Sequence, residues 1–473
     1  MADFSMVEFL TKKLPILLLS PKKFRCFVKM KDLTSGTEAG LIFKFALPLV
    51  IGNLLQQFYN IIDSIIVGNY LGTEALAAVG ASFPIFYTLI AFIIGIGSGA
   101  TIVISQYFGG RDYARVKQAI GTIYLFMFGA GIALTAIGIF FSREIFTLLN
   151  IGEDVMPHAL AYFNVYMIGM VSFFGFNGTS SILRGLGDSR TPLLFLAIAT
   201  VANIGLDLLF IIVFKWGVAG AAWATVMAQT GAFVTAIFYL NRRDHLIHFS
   251  VKTITFDPYT FWQSVKIGLP TGFQQTFVAL GMLALIRIIN NFDTVTLAAY
   301  TAASRIDALA AMPAMNLASA LSAFVGQNLG ANKIDRIRKG VWATLKMAWA
   351  ISLAVMLIVI LWGNNMMALF SGDPEVIRQG HEYLIIVSSF YIVFSSMFVM
   401  HGMLRGAGDT LVPMFITLIS LWIIRIPIAW YLSGQIGETG IWWSIPSGWF
   451  IGLIGTWLYY KSGHWKKKGI VKY

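Results

Sequence analysis

Polar residues in this chain are gathered into short intervals between apolar runs of about twenty residues, the length an α-helix needs to cross ~30 Å of hydrocarbon. The runs fall near 41–66, 82–107, 119–141, 159–183, 192–214 and 217–240. A second set falls near 264–290, 298–325, 341–362, 382–404, 412–432 and 438–460. The pattern predicts twelve membrane-spanning helices. One further apolar stretch, Leu14 to Leu19, lies between Lys12-Lys13 and Pro21-Lys22-Lys23. It is too short for a span or a signal-peptide core and reads as an appendage.

The second set of runs repeats the first at an offset of about 221 residues. Leu183-Arg184-Gly185-Leu186-Gly187-Asp188 returns as Leu404-Arg405-Gly406-Ala407-Gly408-Asp409, with Pro192 and Pro413 four residues after each Asp. Gln106 matches Gln327, Gly109 matches Gly330, Arg115 matches Arg336 and Tyr162 matches Tyr383. With one-residue shifts, Lys44 and Pro48 match Lys266 and Pro270, and Gly217 matches Gly437. Six spans is an even number, so both copies start on the same side, as parallel repeats about an axis along the membrane normal. The expected fold is all-α and integral to the membrane: twelve transmembrane helices in two six-helix bundles related by pseudo-two-fold symmetry. Residues 1–40 form an N-terminal extension, 41–240 the first bundle, 241–263 a linker, 264–460 the second bundle and 461–473 a basic tail. A cleft between two such bundles suits alternating access. The repeated Arg-Gly-x-Gly-Asp corner reads as a structural turn. Glycine ends one helix, and Thr191-Pro192 starts the next, with Thr as cap and Pro in the first turn.

Composition agrees with this pattern: 57% of the 473 residues are hydrophobic and only 12% charged, against about 25% charged in soluble domains. The net charge of +12 raises the question of nucleic acid, which would need the basic residues on one soluble face. Instead, Lys and Arg concentrate in the N-terminal segment, in the loops after even-numbered spans (Arg111, Arg115 and Lys117; Lys333, Arg336, Arg338 and Lys339) and in the tail. The opposite loops hold only Arg143, Lys215 and Arg378. By the positive-inside rule both termini face the cytoplasm, in the cell's inner membrane. The lone Cys26 excludes an intramolecular disulfide framework, and the six histidines show no metal-ligand spacing. No Walker A sequence and no clustered catalytic acid–base set is present. Neither an enzyme activity nor a cofactor is expected, and energy should come from an ion gradient.

Charges at membrane depth cost at least ~2.5–3.5 kcal/mol each, so they default to function. Asp63 lies well inside the first span and Asp207 inside the fifth. Asn203 precedes Asp207, and Tyr59 precedes Asp63, by four residues, which puts each pair on one helix face. Desolvation favours the neutral form of a carboxyl, so such acids can bind and release a proton. With asparagine and hydroxyl oxygens they can instead hold Na⁺, a hard cation. Tyr59, Asn203 and Asp207 are also candidate substrate contacts. Arg287, Arg305, Asp307 and Arg425 read as structural, with Arg305 and Asp307 expected near the outer surface.

Together, Lys44-Phe45-Ala46-Leu47-Pro48, Asp63, Gln106-Tyr107-Phe108-Gly109, the Asn177–Asp188 stretch, Asn203 to Asp207 and both corners resemble the multidrug and toxic compound extrusion family, in its DinF-like branch. The resemblance runs from about Met30 to about Tyr460. It implies a twelve-helix antiporter that expels organic cations and other amphipathic compounds in exchange for H⁺ or Na⁺. It also implies an ion-coupling site at Asp63, Asn177, Asn203, Asp207 and Thr225, with bending of the first helix at Pro48, where proline removes a backbone hydrogen bond. Other branches place an acid in the seventh span, where this chain has none. Residues 1–29 have no family counterpart, so translation is expected to start at Met30. N-terminal sequencing of native protein that found earlier residues would refute this.

The leading expectation is therefore an ion-coupled drug antiporter, acting as a monomer on a small cationic or amphipathic substrate in the lipid bilayer, with no nucleic-acid partner. A flippase for lipid-linked oligosaccharide or peptidoglycan precursors is the alternative. It calls for Arg or Lys in the cleft, whereas the clearest deep charges are acidic. A membrane transferase would need a catalytic cluster in a large loop. The longest, 241–263, offers only Asp244, His245, His248 and Asp257.

Overall fold

The computed structural model describes residues 31–149, 151–243 and 255–471. The expectations for Leu14–Leu19, Cys26, the Met30 start, Asp244, His245 and His248 lie outside the described residues. Twelve long helices follow one another. They are α1 (Glu38–Leu71), α2 (Thr73–Gly109), α3 (Tyr113–Phe140), α4 (Met156–Gly185), α5 (Arg190–Val213) and α6 (Gly217–Arg243). Then come α7 (Pro258–Ile289), α8 (Thr294–Gly330), α9 (Ile334–Ala368), α10 (Pro374–Ser389 with Tyr391–Gly406), α11 (Leu411–Ile436) and α12 (Glu438–Ser462). Among the described residues nine are long and apolar enough to span a membrane, and the two parts of α10, bent by 53°, make a tenth. Both α5 and α11 contain a π-helical stretch, Leu208–Val213 and Ile419–Arg425.

The repeat is visible in the backbone. Arg111 and Asn332 adopt φ of 60° and 55°, Gly187 and Gly408 of 85° and 87°, and Gly217 and Gly437 of 61° and 69°. Each pair holds equivalent turns in the two halves, so the chain reverses by the same left-handed steps twice. At the first corner the cap differs from expectation. Asp188 Oδ1 accepts the Arg190 and Thr191 N–H groups at 2.9 and 3.1 Å, and Thr191 donates its hydroxyl to Asp188 Oδ2. Thr191 already lies inside the helix, so the capping oxygen has to come from the residue before the first turn. Helix α7 likewise begins earlier than its apolar run. Asp257 accepts the Thr260 N–H at 3.0 Å, and Pro258 fills the first helical position, where its missing N–H costs nothing.

The halves pack through small residues where the chains come closest. A Cβ on Gly95 would meet Gly268 O and Gly272 N, and one on Gly99 would meet the Ser264 carbonyl, so α2 and α7 touch backbone to backbone. Lipid supplies no hydrophobic drive between helices, and such contact makes up for it by van der Waals packing. The first and last described segments are exchanged between halves. Leu33, Ile42, Phe45 and Ala46 pack into the apolar cluster of α8, α9 and α10, while Ile470 packs into the cluster of the first half.

Candidate functional site

Asp63 and Asp207 are 8% and 0% exposed and lie within electrostatic reach of one another. Asp63 stands about 12 Å from the Leu71 end of α1. Asp207 is the last α-helical residue of α5 before its π turn; single π turns commonly accompany functional sites. One turn earlier, the Asn203 amide bridges two helices: its nitrogen donates to Asp207 Oδ2 at 2.9 Å and its oxygen accepts the Thr225 N–H of α6 at 3.1 Å. From α1, Tyr59 Oη shares a hydrogen bond with Thr225 Oγ1 at 3.0 Å. Side chains of α1, α5 and α6 therefore converge on one buried point.

What this point lacks is a donor. Asp63 Oδ1, Asp207 Oδ1 and Gln229 Oε1 are buried with no hydrogen-bond partner. Buried polar groups are ordinarily paired, and an orphan costs ~1–3 kcal/mol. The unmatched oxygens of two acids within electrostatic reach of one another make a site for a cation. Gln229 was not singled out in the sequence. It lines the same small crevice as Tyr59, Asn203 and Thr225, and its place four residues after Thr225 on the sixth span is the signal that marks it. Asn177 does something else. Its amide donates to the Phe173 carbonyl at 2.9 Å, one turn back on α4, and no hydrogen bond joins it to the carboxylates. Pro48 is buried within an uninterrupted α1. Among the described residues no group of three or more His, Cys, Asp or Glu could hold a metal ion.

Asp307 is a correction. It is not near the outer surface but about 20 Å along α8 from Thr294, where it accepts the Tyr391 and Tyr383 hydroxyls of α10 at 2.6 and 3.5 Å. Helix α8 runs 37 residues, longer than a span requires, so counting depth from its apolar run misplaced the residue.

The face that carries Leu33 and Ile470 is closed by a reciprocal pair of glutamines. Gln106 of α2 donates to the Gly406 carbonyl at 3.1 Å and accepts the Ile470 N–H at 2.7 Å. Gln327 of α8 donates to the Gly185 carbonyl at 3.1 Å and accepts the Leu33 N–H at 2.9 Å. Between them a Cβ on Gly109 would meet the Gln327 backbone, and one on Gly330 the Gln106 backbone.

Two repeated helical bundles, joined at one face and holding a buried carboxylate pair at membrane depth, define a polytopic membrane protein with the layout of a secondary transporter. The MatE family model matches it twice, over residues 48–209 and 270–431, one match per half, and the chain belongs to that family. It is 33% identical over 443 residues to "Probable multidrug resistance protein YpnP" of Bacillus subtilis, covering 93% of this chain and 98% of that one. It is 30% identical over 438 residues to "Probable multidrug resistance protein YoeA" of the same organism, covering 90% and 94%. Among solved structures, "Crystal structure of MATE in the bent conformation" superposes with a TM-score of 0.87 at 24% identity, over 94% of this chain and 100% of that one.

Proposed function

We propose that this chain is a monomeric, ion-coupled exporter of organic cations and other amphipathic small molecules, working by alternating access in the inner membrane with both termini cytoplasmic. The observation that carries the reading is the convergence of Asp63, Asn203, Asp207, Thr225 and Tyr59 around carboxylate oxygens that no described residue satisfies. The names of its relatives point the same way.

The chemistry follows from those oxygens. Two buried carboxylates within reach of each other repel when both are charged, so the pair favours a bound H⁺ or Na⁺. Either ion enters from the outside, where α1 and α5 end. Asn203 and Tyr59 tie the site to α6, so a change in its charge is felt by three helices at once. Pro48 leaves one α1 carbonyl without its backbone donor, and α1 can bend there. The same carboxylates attract an organic cation, and occupation by the coupling ion expels it. Moving one net charge across ~100 mV supplies about 2.3 kcal/mol, close to fifty-fold accumulation at ~1.4 kcal/mol per tenfold.

Ethidium efflux from vesicles tests this, with the proton and sodium gradients collapsed in turn. Wild type should lose efflux on collapse of one gradient only, which names the ion. Asp207→Asn should lose it under every condition while remaining in the membrane at wild-type level. Efflux by Asp207→Asn at the wild-type rate would exclude the site. Absence of efflux in well-inserted wild type would exclude this substrate class.

A further inference from the structure

The repeat makes two crossings between the bundles equivalent, α2 with α7 and α8 with α1, yet they are built differently. At the first, a Cβ on Gly95 of α2 would stand 2.7 Å from Gly272 N and 2.8 Å from Gly268 O of α7. The offset of about 221 residues puts Asn316 of α8 where α2 has Gly95. Asn316 is 4% exposed, and its Oδ1 accepts the side-chain N–H of Asn53 on α1 at 3.0 Å. Its own amide nitrogen donates to the Met312 carbonyl at 2.9 Å, one turn back on α8, which fixes Oδ1 toward α1. One crossing is therefore backbone on backbone, whereas its counterpart carries a hydrogen bond between two neutral side chains.

Helix α1 passes from one half to the other at the level of this bond. Before it, Ile42, Phe45 and Ala46 pack into the second half, and Glu38 pairs with Arg336 of α9 at 3.1 Å. Beyond it, Ile66 and Val67 belong to the core of the first half, and Tyr59 meets Thr225. Pro48, which weakens α1 locally, stands five residues before Asn53. Asp63 stands ten residues after it, about 15 Å along the axis. Movement of the Asp63 part of α1 about Pro48 therefore either breaks the bond at Asn53 or draws α8 along. A single neutral hydrogen bond is weak enough to break in each turnover. The close backbone contact at Gly95 offers no such release.

We propose that the Asn53–Asn316 hydrogen bond is a releasable tie that passes ion occupancy at Asp63 and Asp207 to the second bundle, with the α2–α7 crossing as the fixed pivot. Asn53 and Asn316 are positioning residues that act through α1. The inference rests on the ion-coupled reading above and adds the link between the site and the opposite half.

The test uses the full-length protein in vesicles, with ethidium efflux followed against Na⁺ at fixed pH and against pH at fixed Na⁺. Asn53→Leu and Asn316→Leu each remove one partner, so movement of α1 is no longer opposed. Each should lower the half-maximal concentration of the coupling ion by about two- to twelvefold. The double variant should shift it no further, because both single variants remove the same bond. An unchanged midpoint with a lower maximal rate, or additive shifts, would make the pair a structural brace and overturn the tie. A second measurement keeps the bond's neighbourhood intact. With Asn53→Cys and Asn316→Cys in a Cys26→Ser background, a short bis-methanethiosulfonate bridge should stop efflux, and dithiothreitol should restore it. Efflux by the bridged protein at the unbridged rate would overturn the tie even if the leucine variants fail to fold. Absence of efflux in well-inserted wild type would end the export reading alone. The tie is then decided by the fraction bridged in detergent, normalised to modification of each single cysteine. A fall with Na⁺ or with acid supports it, and no change with either overturns it.

Discussion

At the residue scale the site depends on one amide. Asn203 gives Asp207 its only hydrogen-bond donor among the described residues and reaches the Thr225 N–H on the neighbouring helix. Asn203→Ala strips that donor and leaves a second unmatched carboxylate oxygen, at a cost of about 1–3 kcal/mol. Efflux should fall at least about tenfold, and Asn203→Asp, which adds a third acid and no donor, should fall further. Both are read as ethidium efflux normalised to membrane content. Tyr59→Phe removes a hydroxyl that, among the described residues, hydrogen-bonds only to Thr225 Oγ1, which costs about 0.5–1.5 kcal/mol. It should retain efflux within about threefold, so the two variants separate the acid's own partner from a neighbouring brace. Much of this was legible, because Tyr59/Asp63 and Asn203/Asp207 share helix faces by spacing alone. What spacing cannot give is partnership across helices. The bridge from Asn203 to Thr225, the return of the Asn177 amide to Phe173 and the pairing of Asp307 with Tyr383 and Tyr391 all depend on which faces meet after packing.

At the element scale, the helices were legible from apolar runs, and their ends less so. Helices α7 and α8 extend past the hydrocarbon length, with Asp257 and Asp293 capping first turns in which Thr260, Thr294 and Thr296 interrupt the apolar pattern. The π turns of α5 and α11 leave no mark in composition. The crossing of α2 and α7 is the element contact least tolerant of change, because the atoms facing Gly99 are the Ser264 carbonyl and the Gly268 backbone, which cannot rotate away. Gly99→Val should force the helices apart at about 1–3 kcal/mol for overpacking and lower the thermal midpoint of the purified protein in detergent. Gly129→Val on α3, where nothing lies within 4 Å of the added Cβ, is the matched control and should leave the midpoint unchanged. Equal losses in both would mean that bulk in a helix, not the crossing, sets stability.

At the scale of the whole molecule, the repeat was legible as a constant offset, and Gln106 and Gln327 stood in register within it. Their use was not, since each bonds to chain about 300 residues or more than 140 residues away. In the fold these two side chains make four hydrogen bonds that tie each half to the other's corner and to a chain end. Trp465, 0% exposed, and Ile470 seat the tail beneath both halves. Alternating access by rocking has to break this face open, so its strength sets how often the opposite state is visited. Losing one glutamine removes two bonds, about 1–3 kcal/mol in all, and shifts a two-state equilibrium by about five- to 150-fold. Spin labels at Lys117→Cys and Arg338→Cys, equivalent exposed positions in the two halves, report the opening in a Cys26→Ser background. The double variant Gln106→Ala with Gln327→Ala should add a longer-distance population to the pulsed dipolar trace. Ile470→Pro, which removes the tail's N–H donor together with the Ile470 side chain packed in the first half's cluster, should also add such a population. An unchanged trace in the double variant would place the closure in the backbone contact at Gly109 and Gly330, and the glutamines would then fix the corners without governing the gate.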